Sequence, residues 1–262
     1  MHRLAQSRSF ALAFAVFAIA AASPTQDPPK GPDKDIAAKL DTLKDCVADR
    51  KLAREDEGLK IIDELLIKWK AGVDPKDQAA IVKGFENVFS SGKLRPPDNI
   101  KLYMGAATAL GYCGAEGAKV LKATYASKRF PEKKDWVPLR EQLLKNLGHT
   151  KDETMVKFLT AEARRNPEAA LQAAAGEALG NYEESKEAVR KEIVDELLVT
   201  YGELSELASQ MGSANVAAQN AQDRLSALKD KWNTALAKLT RQNFATFSEW
   251  QKWFNKNKNV PW

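Results

Sequence analysis

MGAATALGYCG (104–114), LREQLLKNLGHT (139–150) and LQAAAGEALGNY (171–182) each run to a leucine-glycine pair, at Leu110-Gly111, Leu147-Gly148 and Leu179-Gly180. Successive pairs lie 37 and 32 residues apart. Apolar and small residues recur at threes and fours within each stretch, the spacing of one helix face. A glycine directly after the last helical leucine predicts a left-handed C-cap that lets the chain reverse. The predicted C-caps are therefore Gly111, Gly148 and Gly180, each followed by a second helix over 118–126, 153–165 or 185–201. Asp135 with Pro138, and Asn166-Pro167, supply matching helix starts.

The same texture continues upstream. Ile36, Leu40, Leu43 and Val47 form one stripe, and Leu59, Ile62, Leu65, Leu66 and Trp69 form the next, ending at Gly72. Asp74-Pro75 reads as an N-cap and first-turn proline, opening a helix through Ile81, Val82, Phe85, Val88 and Phe89. No segment alternates with period two for the length of a strand, so the fold class is all-α.

Helix pairs of this length, with a small-residue-rich first helix ending in Leu-Gly, resemble HEAT repeats. The resemblance covers residues 98–201, and more loosely 33–92. It implies a right-handed α-solenoid over 35–211, with the second helices lining its inner surface. The charged residues of the family's turn and second helix are scattered here rather than periodic. Leu239-Thr240 followed by Trp250 and Trp253 is also similar to the closing segment of secreted bacterial HEAT-repeat proteins of unassigned function. HEAT-like relatives include lyases that attach bilins, but no cysteine or histidine arrangement here supports that chemistry.

Residues 212–262 read as a capping helix and a tryptophan-rich tail. Over 213–239, Val216, Leu225, Leu228, Trp232, Leu236 and Leu239 make a narrow stripe, suited to lying along the end of the array or pairing with another helix. On a helix starting near Thr246 or Ser248, Trp250, Trp253 and Phe254 share one face, which suits them to cap the last repeat. The competing reading is an aromatic platform for polysaccharide beside Lys252 and Lys256, with Trp262 its best candidate.

At the other end, Arg3 and Arg8 precede an unbroken apolar run from Phe10 to Ala22. Thirteen residues are too few to span a bilayer but suit a secretory signal over 1–22, closed by Ala20-Ala21-Ala22. Residues 23–34, with Pro24, Pro28, Pro29 and Pro32, read as an extended tether. The chain is thus expected to be exported, to the periplasm or outside the cell, with no transmembrane span after cleavage.

Without Arg3 and Arg8 the chain carries 38 basic and 35 acidic residues and is nearly neutral, and an exported chain is not expected to meet nucleic acid. The charge is unevenly placed. Residues 93–134 carry nine basic against three acidic groups, and 151–228 carry eight against fourteen. The second helices present Lys119, Lys122 and Lys128, then Lys157, Arg164 and Arg165, then Arg190 among Glu187, Glu192 and Glu196. This gradient points to a charge-patterned protein partner in the cell envelope or among secreted proteins.

Catalytic chemistry is poorly represented. Past the expected signal there is one histidine, His149, and two cysteines, Cys46 and Cys113, with no zinc, EF-hand, nucleophile-elbow or phosphate-loop spacing. Adjacent carboxylates such as Glu183-Glu184 point apart on a helix. No catalytic residue, metal ligand or cofactor is therefore expected, and the leading reading is a non-catalytic binding scaffold.

Overall fold

The computed structural model describes residues 32–210 and 215–262. The expected signal over 1–22, the tether as far as residue 31, and the boundary at 211–212 lie outside the described residues. The protein is all-α: eleven α-helices among the described residues, with short 3-10 turns between some of them. In order they are α1 (Lys34–Ala48), α2 (Glu55–Ala71), α3 (Pro75–Ser90), α4 (Lys101–Leu110), α5 (Gly114–Tyr125), α6 (Val137–His149), α7 (Val156–Arg165), α8 (Ala169–Leu179), α9 (Glu187–Ser209), α10 (Val216–Thr240) and α11 (Phe247–Asn257). No helix among the described residues is long and apolar enough to cross a membrane.

Even-numbered helices form one row, in which α2 touches α4, α4 touches α6, α6 touches α8 and α8 touches α10. Odd-numbered helices form a second row against it. α5 packs chiefly on α6, α7 on α8 and α9 on α10, whereas α3 is shared between α1 and α4. The core lies between the rows as one continuous cluster from Ile36 to Phe254.

The Leu-Gly glycines work differently from the left-handed caps expected of them. Gly111 and Gly180 end α4 and α8 in right-handed helical geometry, with φ of −58° and −62°. Gly148 sits inside the last turn of α6, whose cap is Thr150. What the three share is close approach to the next helix of the row. A Cβ at Gly111 would lie 3.0 Å from Asn146 Oδ1 of α6, and one at Gly180 would lie 2.9 Å from Ala235 of α10. At Gly148 it would collide with the Ala178 carbonyl of α8. Packing density, not backbone conformation, demands glycine at these sites. Positive φ belongs instead to Gly72, Gly92 and Gly114.

The row does not stop at the third Leu-Gly pair. α10 takes the next first-helix place, burying Leu228, Trp232, Ala235, Leu236 and Leu239 against α8 and α9, while Val216 at its start is exposed. α11 then packs on α9. Its start is set by a reciprocal capping box between Thr246 and Glu249. Trp250 is fully buried, donating from Nε1 to Asn233 Oδ1 at 3.0 Å and meeting Phe244 edge-on at 4.9 Å. Phe254 is buried, whereas Trp253 is half-buried against Trp262, ring centres 5.1 Å apart.

Candidate functional site

The second-helix row presents its charge through α5, α7 and α9. α7 shows how the sequence arranges this. Val156, Leu159 and Ala163, at i, i+3 and i+7, face the core, which turns Lys157, Arg164 and Arg165 outward. Lys119, Lys122 and Lys128 are likewise exposed along and just after α5.

These cations are not equivalent. Lys119 pairs with Glu116 at 2.6 Å, an exposed ion pair of little energetic weight. The Lys122 ammonium lies 5.2 Å above the Phe158 ring and so ties α5 to α7. Arg164 reaches Glu196 and Glu203 of α9, each at 3.7 Å. Lys157 and Arg165 make no ion pair with any described residue. Between α7 and α9 runs an open groove of about 310 Å³, with Lys157, Arg164 and Arg165 on one wall and Glu192 and Glu196 on the other.

Arg190 does not belong to this surface. It is half-buried: Nη1 donates to the Leu239 carbonyl at 2.7 Å and Nη2 to the main-chain oxygen of Trp262 at 2.8 Å. Lys191 adds a bond to the Val260 carbonyl at 2.8 Å, and both cations stand 5.5 Å from the Trp262 ring centre. Trp262, the aromatic best placed by sequence for a sugar platform, is therefore strapped to α9.

The same device recurs where sequence reading found nothing. Arg129 donates to the carbonyls of Ser91 and Gly92 after α3, and Arg140 to those of Tyr125, the last residue of α5, and Phe130 beyond it. Arg224 donates to Asn166 and Pro167 after α7. Helix C-termini leave carbonyls without intrahelical partners and carry partial negative charge, so a guanidinium satisfies both needs. One signal was legible: Arg140 shares its helix face with Val137, Leu143 and Leu144 by i−3, i+3 and i+4 spacing.

Among the described residues, the two cysteines and the most strongly shifted tyrosines are buried within the fold. Cys113 is buried, its Sγ 3.3 Å from the Ala109 carbonyl, and burial pushes its thiol pKa up to about 12. Cys46 is a buried free thiol, also shifted upward by desolvation. Burial and then its bond to Glu162 raise the Tyr125 hydroxyl, which donates to Glu162 Oε2 at 2.6 Å inside a structural network with Asn166. Among the described residues no set of three or more His, Cys, Asp or Glu side chains is placed to hold a metal ion. Compared with family models, curated proteins and solved structures, the chain matches none.

Proposed function

We propose that the protein is a non-catalytic scaffold, of the HEAT type that its repeats resemble, exported to the cell envelope and binding a protein partner along the charged ridge of its second helices. The observation that carries this reading is the groove between α7 and α9, where Lys157 and Arg165 stand exposed across from Glu192 and Glu196 without forming an ion pair with any described residue. A surface with both signs on facing walls selects a partner whose charges are patterned to match. Burial of Trp250 and Phe254 favours this ridge over the tail aromatics as the contact surface.

Affinity enrichment of the tagged chain from native envelope material, at low and at high salt, tests the proposal. A stoichiometric protein partner retained at low salt and released at high salt is the expected result, because screening weakens exposed charge pairs. Retention on polysaccharide alone, or protein binding indifferent to salt, would remove the support for a charged ridge.

A further inference from the structure

A second recess, of about 170 Å³, lies where the turn after α5 meets the turn before α8, and is lined in part by Glu132, Lys133, Lys134, Arg140, Asn166 and Glu168. Its central group is Arg140, only 2 % exposed. Nη1 donates to the Tyr125 and Phe130 carbonyls at 2.9 and 3.1 Å, and Nη2 to Glu132 Oε1 at 2.8 Å. Nε, fully buried, has no hydrogen-bond partner. A buried guanidinium N–H left without an acceptor is costly.

The carboxylate that answers Arg140 is loosely held. The Glu132 side chain is 73 % exposed while that of Arg140 is 3 % exposed, so Glu132 can swing into solvent without unpacking anything. Lys133 and Lys134 beside it are exposed. The opposite wall is the start of α8, where Glu168 as N-cap makes no side-chain capping bond and the first turn holds no acidic residue. The N-terminus of α8, with the positive end of its dipole, therefore borders the same recess, its Glu168 N–H already bonded to Asn166 Oδ1 at 2.9 Å.

We propose that this recess is a phosphate-group site, occupied in exchange for Glu132. Arg140, Lys133, Lys134 and the α8 N-terminus supply more positive character than a single carboxylate uses, which suits a doubly charged oxyanion. Glu132 then acts as a tethered competitor that keeps the buried guanidinium paired when no phosphate is present. Glu168 is the remaining negative group of the recess, and it limits affinity. This site is separate from the ridge and does not depend on the ridge binding a partner.

The test uses the full chain titrated with inorganic phosphate and, separately, with O-phosphoserine, following the Arg140 Nε–H resonance by NMR and the affinity by calorimetry. A saturable shift of that resonance is expected. Glu132→Gln should tighten binding several-fold, and Lys133→Ala with Lys134→Ala should weaken it roughly tenfold. Lys133→Ala with Lys134→Ala changes exposed groups and should melt as the wild type does without phosphate, whereas Glu132→Gln removes the carboxylate paired with buried Arg140 and should melt lower until phosphate is added. Stronger binding of O-phosphoserine would identify a phosphorylated molecule as the source, and equal binding would identify free phosphate. The proposal is overturned if the resonance fails to saturate up to about 10 mM phosphate in both wild type and Glu132→Gln, or if Glu132→Gln binds more weakly.

Discussion

The α6–α8 contact and the α8–α10 contact hold equivalent places in one row of helices but are built from different materials. In the first, Gly148 meets the backbone of α8 at Ala178, and at that point no side chain stands between the two helices. In the second, Gly180 keeps a similar close approach to Ala235, but one turn earlier the fully buried Trp232 ring lies directly on Gly176. A small-on-small joint fails when volume is added, whereas a tryptophan-on-glycine joint fails when volume is removed. Beside this second joint, Trp250, Phe244 and Phe254 add further buried or partly buried aromatic bulk.

The comparison is broken most forcefully at Trp232. Trp232→Ala should cost about 3–5 kcal/mol in urea unfolding, the range for emptying a large aromatic site. Gly176→Ala alone should also destabilise, because the new methyl collides with the indole. Combined with Trp232→Ala it should cost far less than the sum, and strict additivity would show that the two do not form one joint. Next in size, Gly148→Val should lose about 1–3 kcal/mol by overpacking against the Ala178 carbonyl. If it were neutral, the close approach would have no role. Trp253→Ala, at a half-buried site, should lose about 1–2 kcal/mol, less than Trp232→Ala.

The smallest effect lies at the opposite end. Asp33 caps α1 and is bonded by Lys68 at 2.7 Å, and that bond holds its carboxyl below the ordinary carboxylate range. A lowered folded pKa stabilises above the unfolded value near 3.9 and loses that contribution as pH falls through the folded value. Asp33→Asn keeps the cap but removes the charge, so it should flatten a slight loss of stability below about pH 4. An unchanged acid limb would detach the Lys68 pair from stability.

Helix positions were legible because amphipathic spacing is written in every segment: Val156, Leu159 and Ala163 declare the inner face of α7 without tertiary knowledge. The role of Gly148 was not, since a glycine after leucine looks alike whether it bends the chain or admits a neighbour. The place of α10 was half legible. Its stripe was visible, but a stripe does not say whether it covers the array or continues it, and the partner surface on α8 is set by tertiary packing. Arg190 and Arg224 were read or passed over as surface charge because the carbonyls they hold lie 49 and 58 residues away. Of the candidate site, the cations of α5 and α7 could be read from sequence. The acidic wall that makes a groove of them required the packing of α9.

The most direct measurement sets the two ends of this contrast side by side: partner retained per molecule, together with melting temperature, for Lys157→Glu with Arg165→Glu and for Trp253→Ala. The ridge variant should melt within about 0.5 kcal/mol of the wild type, as surface substitutions do, and lose its partner. The tail variant should be less stable and keep it. Partner binding that survives charge reversal on the ridge and disappears with Trp253 would contradict the account and move the binding surface to the tail.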